Sequence, residues 1–304
     1  KRYTMKNIAV MISGHPKGFD ITFPYFQCWN KLYDNVKFDF FVSMWENDYD
    51  RKEVFDWVNT YEILKEEDCP YDLSKHEDRR HQPHYSWALY RVNELRKKHQ
   101  EIEYDAIIHT RGDAIFSRSL LNSLIDNLTK IRGGLIPEKS GDTYTGKSTI
   151  DTRPDPQISD KNILSANGSV IHNYFDEENN SLNQNLWTQD VWFMGTSKVM
   201  DIFCNMFNYM FLRKDYMLHI MQAEYLNQMG IYNSPTEEGN TFTFIRDTYR
   251  FDFKTGDGGY PLEYPSPKQL KKLIEDKGLY WFYDDEKPKQ RWQEAQDYFR
   301  ETEK

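Results

Sequence analysis

The stretch "NIAVMISGHPKGFDITFPYFQCWNKLYDNVKFDFFVSMW", residues 7–45, decides the fold class. It begins with an apolar run that ends in Gly14, His15 and Pro16, which predicts a buried strand followed by a sharp turn. Aromatic and apolar residues then recur at helical spacing over 23–33, and the run "FDFFVSMW" predicts a second buried strand. Strand, helix and strand in this order are typical of a βαβ unit with two parallel strands.

Strands and helices continue to alternate along the chain. Further strands are predicted at 61–64, 105–110, 133–137, 190–196 and 242–246, and further helices at 51–60, 85–101, 119–127, 197–212, 217–229, 267–276 and 287–302. Residues 140–189 are rich in Asp, Asn, Ser, Thr and Pro without periodicity, and are expected to form a functional or disordered loop. The pattern predicts an α/β fold with a mostly parallel central sheet, flanking helices, a long inserted loop and a helical C-terminal extension.

The bulk composition limits the classes of function. A net charge of -9 argues against a non-specific nucleic-acid binder, because such proteins present basic residues to the phosphates. Aromatic residues make up 16% of the chain, and such side chains often stack on flat ligands. Three cysteines without a Cys-x-x-Cys pair predict neither a disulfide framework nor a zinc site, so a reducing, cytoplasmic location is expected.

No apolar run approaches the roughly 18 to 20 residues that are needed to span a bilayer. No signal peptide opens the sequence. Because the sequence begins at Lys1 rather than at methionine, the presence of a leader or anchor stays open.

The turn in "IHTRGDAIF", residues 108–116, is the first candidate for chemistry. Asp113 follows an apolar strand, and the carboxyl ends of parallel strands are where ligands bind in such sheets. A carboxylate there can hold Mg²⁺ or Mn²⁺ against a diphosphate, and Arg111 can contact a phosphate with two donors. Alternatively, Arg111 and Asp113 simply pair with each other. An adhesion role for the Arg-Gly-Asp tripeptide fits worse, because strand-like residues flank it on both sides.

The loop in "SGHPKGFD", residues 13–20, is the second candidate. Gly14 permits close approach of a ligand to the backbone, and His15 and Lys17 offer donors to a ribose or a phosphate. The amides at the start of the following helix can face an anion. The loop matches neither a Walker loop nor the G-x-G-x-x-G fingerprint, so by itself it is a weak signal.

The segment "NLWTQDVWFMGTSKVM", residues 185–200, is the third candidate. It places Asp190 between Trp187 and Trp192, and an aromatic face beside a carboxylate suits sugar recognition. Asp190 is also a candidate general base, with Glu224 as a rival on a later helix. The alternative is an Asp that caps the strand edge above tryptophans of the core.

These stretches, together with "HYSWALYRVNELRKKHQEIEYDAIIHTRGDAIF", resemble a family of glycosyltransferases found in bacterial surface-polysaccharide clusters and in large-virus or phage genomes. The family pattern is Ser-Gly-x-x-Arg after the first strand, Tyr-Ser at a helix start, Tyr-Asp-x₅-Arg-x-Asp, and Asp before an aromatic strand and Gly. The matching residues are Ser13-Gly14 with Lys17 in place of Arg, Tyr85-Ser86, Tyr104-Asp105 with Arg111 and Asp113, and Asp190 through Gly195. The resemblance covers roughly the first 210 residues.

The resemblance implies a GT-A-like, Rossmann-like fold and a hexosyl- or deoxyhexosyltransferase. Such an enzyme moves a sugar from a nucleoside diphosphate donor to a glycan, lipid-linked or protein-linked hydroxyl, and peripheral membrane association is compatible with it. We expect a catalytic domain at 1–265, with a nucleotide-binding half at 1–139 and an acceptor half at 140–265, and a helical extension at 266–304, where the C-terminal third is assigned by its position alone. The open alternatives are a sugar nucleotidyltransferase and a non-catalytic nucleotide- or sugar-binding module.

The motifs and the resemblance together predict roles for single residues. Donor binding is expected from Ser13, Gly14, His15, Lys17, Trp45, Tyr85, Ser86, Arg111 and Asp113, acceptor or sugar binding from Trp187 and Trp192, and catalysis from Asp190 or Glu224. Asp113 is expected to hold a Mn²⁺ or Mg²⁺ ion. Because Arg111 stands where the Asp-x-Asp motif of the GT-A fold has its first carboxylate, the resemblance also allows a metal-independent site.

Overall fold

The computed structural model describes residues 5–16, 19–46, 55–70, 81–116, 118–126, 135–140, 143–148, 158–166, 168–176, 181–210, 218–235 and 242–244. The strands are β1 (Lys6–Gly14), β2 (Val36–Trp45), β3 (Thr60–Leu64), β4 (Ala106–Arg111), β5 (Ala114–Phe116), β6 (Leu135–Ser140), β7 (Thr143–Ser148), β8 (Asn162–Ser165), β9 (Val170–Asp176), β10 (Ser181–Trp187), β11 (Trp192–Gly195), β12 (Tyr232–Pro235) and β13 (Phe242–Phe244). The helices are α1 (Phe19–Leu32), α2 (His81–His99), α3 (Arg118–Asp126), α4 (Ser197–Cys204), α5 (Met206–Met210) and α6 (Leu218–Gln228), with a 3₁₀ turn at Glu66–Asp68.

A seven-stranded sheet in the order β12-β8-β11-β4-β1-β2-β3 forms the centre of the described structure. β1 pairs in parallel with β2 and with β4, β2 pairs in parallel with β3, and β8 pairs in parallel with β12. β11 is antiparallel to both β4 and β8, so six of the seven strands point the same way. The predicted α/β class with a mostly parallel sheet and flanking helices is confirmed.

The sheet is buried on both faces, which explains why its central strands read as continuous apolar runs. On one face, Ile8, Val10 and Ile12 of β1 pack with residues of α1 and α3. On the other face, Ala9 and Met11 pack with residues of α2, α4 and α6. Successive residues of one strand therefore lie alternately in the two cores. The same alternation determines which polar residues of β4 lie on the face that is covered by α2.

Helix α2 is tied to α4 near its C-terminal end by an ion pair. Arg96 is almost fully buried and forms an ion pair with Asp201. It also donates hydrogen bonds to Asn93, at 3.1 Å, and to Gln100, at 2.6 Å.

No helix among the described residues is long and apolar enough to cross a membrane.

Three predicted segments differ from the structure. The predicted loop at 140–189 contains β7, β8, β9 and β10, of which β9 and β10 form an antiparallel hairpin. Frequent Asn and Gln residues hide the alternation of β9 and β10, which gain their backbone hydrogen bonds from each other. The predicted helix at 197–212 is divided at Asn205, whose backbone N–H bonds to the carbonyls of Ile202 and Phe203. The described part of the predicted helix at 51–60 forms turns and bends before β3 begins at Thr60.

Other predicted segments lie outside the described residues. They include the two predicted C-terminal helices and the helical extension at 266–304. The division into a nucleotide-binding half and an acceptor half stays a prediction. The strands β8, β11 and β12 of the predicted acceptor half lie in the same sheet as β1 to β4.

Candidate functional site

The carboxyl ends of β1, β2 and β4 lie at one edge of the sheet because these strands are parallel. β11 runs the opposite way, so its beginning lies at the same edge. Trp192 is paired with Thr110, and the backbone N–H of Arg111 donates to the carbonyl of Val191 at 3.3 Å. This register carries Asp190 to the turn that joins β4 to β5. The first and third candidate segments therefore form one cluster.

Arg111 is the centre of this cluster. Its Nε and Nη2 donate to the two carboxylate oxygens of Asp113 at 3.0 and 2.9 Å. Its Nη1 lies 3.6 Å from Oδ2 of Asp190. The side chains of Arg111, Asp113 and Asp190 are 27%, 6% and 19% exposed, so Asp113 forms the floor of the cluster and the other two reach its surface. Burial lowers the pKa of Arg111, but the two carboxylates outweigh it and the pKa is raised.

Gly112 fits the turn because there is no space for a side chain. A Cβ atom would lie 2.6 Å from Cε of Met44 and 3.0 Å from Cδ2 of Phe19. The hydroxyl of Thr22 donates to the carbonyl of Gly112 and ties the turn to α1. The Arg-Gly-Asp turn is thus packed against α1 and does not have the exposure that an adhesion motif needs.

The loop after β1 lies beside this turn. Gly14 has a φ of +115°, and a Cβ atom there would meet no atom within 4 Å, so the position needs glycine for its backbone conformation. His15 is exposed, and its ring centroid is 6.1 Å from that of His84. Lys17 lies outside the described residues. The loop therefore offers open backbone at Gly14 and an imidazole at His15 to a ligand.

Three predicted ligand contacts are core residues instead. Trp45 packs its indole against His84 and donates Nε1 to the His84 carbonyl at 3.1 Å. Ser86 and Trp192 are 0% exposed, and Trp192 lies in the apolar core with Phe116. The predicted roles of Trp45 and Ser86 in donor binding and of Trp192 in sugar binding do not fit this burial. Large aromatic side chains in an apolar run are more often buried than presented to ligands.

The predicted donor-binding residues Ser13 and Tyr85 meet a histidine that the sequence analysis did not single out. The Ser13 hydroxyl lies 2.8 Å from Nε2 of His109, and both residues are buried. The ring of Tyr85 approaches His109 edge to face, with centroids 6.0 Å apart. Burial, and then the charge of Arg111, lower the pKa of His109 to about 3, so it is neutral. The sequence signal for His109 is its position in β4, two residues before Arg111 and therefore on the same face of the strand.

Several buried polar atoms in this region have no hydrogen-bond partner among the described residues. They include the hydroxyls of Tyr85 and Ser86, Nδ1 of His109, and both Oε1 and Nε2 of Gln222 in α6. Burial, and then the charge of Asp190, raise the pKa of Tyr85, while nearby Gln222 acts in the opposite direction. Tyr85 thus keeps its proton and is a donor. Gln222 was also not predicted from the sequence, because a single amide side chain within a helix does not by itself indicate a ligand site.

The connection that carries Asp190 is held from its other side by α6. Thr188 is fully buried, its backbone N–H donates to the His219 carbonyl at 3.2 Å, and its own carbonyl lies 2.8 Å from Nδ1 of His219. The Thr188 hydroxyl accepts from Asn233 at 2.7 Å. Trp187 is partly exposed, and its ring centroid is 4.9 Å from that of His219. A sugar-binding role for Trp187 stays a prediction.

Glu224, the predicted rival base, lies on a different side of α6 from Gln222. It is buried, and it follows Gln222 by two residues, which separates them by about 200° around the helix axis. This position separates Glu224 from the side of the helix that Gln222 presents to Tyr85. Asp190, in contact with Arg111, is the better placed of the two candidates.

A divalent cation at Asp113 also stays a prediction, and the described side chains do not fit one as they are arranged. Both carboxylate oxygens of Asp113 accept hydrogen bonds from Arg111, and Asp190 faces the same guanidinium. Hard cations need several oxygen ligands, and no group of three or more His, Cys, Asp or Glu side chains that could hold an ion occurs among the described residues.

No family model and no curated protein matches the chain. Among solved structures, it is similar to an inositol-1-phosphate CTP transferase from T. maritima, with 13% identity and a TM-score of 0.41 over 90% of this chain and 98% of the other. It is also similar to the galactosyltransferase LgtC in complex with donor and acceptor sugar analogs, with 10% identity and a TM-score of 0.39 over 75% and 72% of the two chains. A third similar structure is the Francisella tularensis 2-C-methyl-D-erythritol 4-phosphate cytidylyltransferase, with 11% identity and a TM-score of 0.35 over 80% and 94%. At these identities and TM-scores, the similarities assign no function to this chain.

Proposed function

We propose that this protein is a glycosyltransferase that moves a sugar from a nucleoside diphosphate donor to a hydroxyl of a glycan, lipid-linked or protein-linked acceptor. The observation that carries the proposal is the convergence of Arg111, Asp113 and Asp190 at the carboxyl edge of the parallel strands. Ligands of open α/β sheets bind at this edge. The backbone of Gly14, where an added Cβ would meet no atom within 4 Å, and the exposed imidazole of His15 lie at the same edge, where a nucleotide can approach them closely.

Asp190 is the residue best suited to act on the acceptor. Its side chain is 19% exposed and lies 3.6 Å from Arg111, so it is accessible and is held in place. In an inverting reaction, the acceptor oxygen forms a bond to the anomeric carbon, and the bond from that carbon to the diphosphate breaks. Asp190 takes the acceptor proton, and the nucleoside diphosphate leaves with the electron pair of the broken bond. In a retaining reaction, Asp190 orients the donor or the acceptor instead.

Nucleotide binding is the first test of this function. A thermal-shift screen with UDP, GDP, ADP and dTDP is expected to raise the unfolding midpoint with at least one of them, because a ligand of the native state stabilises it by mass action. Each nucleotide is measured with Mn²⁺ and with EDTA, which also tests the predicted cation. If none of these nucleotides shifts the midpoint under either condition, the glycosyltransferase proposal is overturned.

Turnover is the second test, and it separates a transferase from a binding module. The nucleotide sugar that matches the bound nucleotide is incubated with the protein, and slow release of nucleoside diphosphate to water is expected. The variant Asp190→Asn should bind the nucleotide but lose at least tenfold of this turnover if the carboxylate acts in the reaction. Consumption of a nucleoside triphosphate together with a sugar 1-phosphate would identify a nucleotidyltransferase instead.

A further inference from the structure

The donors of Arg111 are already engaged in a way that disfavours a phosphate ligand. Nε and Nη2 form a bidentate contact with Asp113, which is the same kind of contact that a phosphate forms with an arginine. The remaining terminal nitrogen, Nη1, faces Asp190 at 3.6 Å. A phosphate that approached Nη1 would bring its negative oxygens beside the carboxylate of Asp190, and like charges at such a distance repel each other strongly in a partly buried site.

A neutral hydroxyl group fits the same place without this repulsion. A hydroxyl can donate to the carboxylate of Asp190 and accept from Nη1 of Arg111 at the same time, whereas a phosphate oxygen can only accept. Both side chains reach the surface of the cluster, with 27% of Arg111 and 19% of Asp190 exposed. The arrangement of donor beside acceptor therefore matches the alternating polar groups of a sugar.

Tyr85 provides an independent observation that points to the same ligand. It is 9% exposed, and its hydroxyl has no hydrogen-bond partner among the described residues. The amide of Gln222 likewise forms no hydrogen bond within the described part of the chain, although it lies close enough to the Tyr85 hydroxyl to lower the pKa of that group. Buried polar groups normally have partners, so a cluster of unpaired groups next to a charged site indicates a place for polar atoms of a ligand or its water.

We propose that Arg111 and Asp190, supported by Asp113 and Tyr85, bind hydroxyl groups of a sugar, and that the diphosphate of the donor lies outside this cluster. This inference rests on the proposed function and names the part of the substrate that the cluster recognises. The sugar is that of the donor or that of the acceptor. Arg111 is then a sugar-binding residue whose orientation is fixed by Asp113.

The variant Asp190→Asn distinguishes a sugar hydroxyl from a phosphate at Arg111. It should weaken the binding of a hydroxyl and strengthen the binding of a phosphate. Affinities of the wild-type protein and of this variant are measured by calorimetry for UDP, UDP-glucose, GDP, GDP-mannose and the free methyl glucoside and methyl mannoside. If the cluster binds sugar hydroxyls, the variant loses roughly tenfold in affinity for a sugar-bearing ligand, because the amide oxygen of Asn is a neutral acceptor and a hydrogen bond to a charged acceptor is about twice as strong. Its affinity for the nucleoside diphosphate alone stays the same.

The matched control is Asp160→Asn, which makes the same change at an exposed carboxylate. Asp160 precedes β8 and binds Thr196 and Lys198 at the opposite edge of the sheet, so no affinity should change. Tyr85→Phe serves as a second variant, because it removes only a hydroxyl without a described partner. It is expected to weaken binding of the sugar-bearing ligand and to leave the nucleoside diphosphate unaffected.

The outcomes distinguish this inference from the proposed function. A loss confined to UDP-glucose or GDP-mannose identifies the donor sugar, and a loss confined to the methyl glycosides identifies the acceptor. Tighter binding of UDP or GDP to Asp190→Asn would show that the carboxylate repels a phosphate bound at Arg111, and this would overturn the inference while the function stands. Equal affinities of wild type and variant for every sugar-bearing ligand would also overturn it. Absence of nucleotide binding with retained glycoside binding would overturn the function alone, and absence of both would overturn both.

Discussion

Arg111 and Asp113 are only two residues apart and share two hydrogen bonds, from Nε and Nη2 to the two oxygens of one carboxylate. The pair closes the turn between β4 and β5, and Asp113 is almost completely buried under it. The planar guanidinium matches a carboxylate in this way, and an ammonium group cannot. The candidate site and the stability of the turn therefore depend on the same contact.

Arg111→Lys should lower the free energy of unfolding by about 2 kcal/mol, because a lysine can replace only one of two charge-assisted hydrogen bonds to a buried carboxylate. Urea denaturation measures the change. The matched control is Arg91→Lys, since Arg91 also contacts Glu62 through Nε and Nη2, at 3.3 and 2.6 Å. Arg91 is 41% exposed, so its replacement should cost less than about 1 kcal/mol. Equal losses in the two variants would contradict the structural importance of the Arg111 contact.

Gly112→Ala should destabilise the protein by about 1 to 3 kcal/mol, because the added methyl group overlaps Met44 and Phe19. The nearest atom is the terminal Cε of Met44, so the variant Met44→Ala makes space for the methyl group. In a double-mutant cycle, Gly112→Ala is expected to cost less in the Met44→Ala background than in the wild type. Additive losses in thermal or urea unfolding would show that the methyl group is accommodated elsewhere.

Gly14→Ala is expected to destabilise through the backbone alone, by about 1 kcal/mol. The φ of Gly14 is +115°, which residues with a Cβ atom rarely adopt, and no neighbouring atom lies within 4 Å of the position of that Cβ. Replacement by alanine and by serine should therefore give similar losses in urea unfolding, since only the strain matters. A much larger loss for serine would indicate a steric contact that the open space does not predict.

The fold was predictable where local pattern and burial agree. β1 and β2 are buried on both faces, so the apolar runs beginning at Ile8 and Phe38 are visible without any knowledge of their partners. The hairpin of β9 and β10 was missed because its polar strands are specified by pairing with each other. Register between distant segments has no local signal. The contact of Asp190 with Arg111 depends on the pairing of β11 with β4, and these strands are joined by a long intervening segment.

The site was predictable in its charged residues and not in its buried polar ones. Arg111, Asp113 and Asp190 follow or precede apolar strands, which places them at strand ends. The position of Trp45 at the end of the second strand and of Trp192 beside Asp190 predicts ligand contacts, but both side chains are buried, because large apolar side chains gain more by burial. His109 lies inside an apolar strand, and only the structure shows that it meets Ser13 and Tyr85.

His109 should make the stability of the protein depend on pH in the acid range. Burial, and then Arg111, lower its pKa to about 3, whereas the unfolded chain has a pKa of about 6.5. The unfolded state therefore binds the proton first, and the stability that is present above pH 6.5 is lost as the pH falls from about 6.5 towards 3. The loss attributable to this residue is expected to reach a few kcal/mol.

The contribution of His109 can be separated from that of the carboxylates by comparing two variants. Urea denaturation at a series of pH values between about 7 and 4 should show a shallower acid loss for His109→Gln than for the wild type, because the titrating imidazole is absent. Ser13→Ala removes the hydroxyl that lies 2.8 Å from Nε2 of His109 but keeps the imidazole, so its stability should be lower at all pH values with the steep slope retained. Equal slopes for wild type and His109→Gln would show that the imidazole becomes protonated in the folded protein without loss of stability, and that the burial of its neutral form does not control the acid limit.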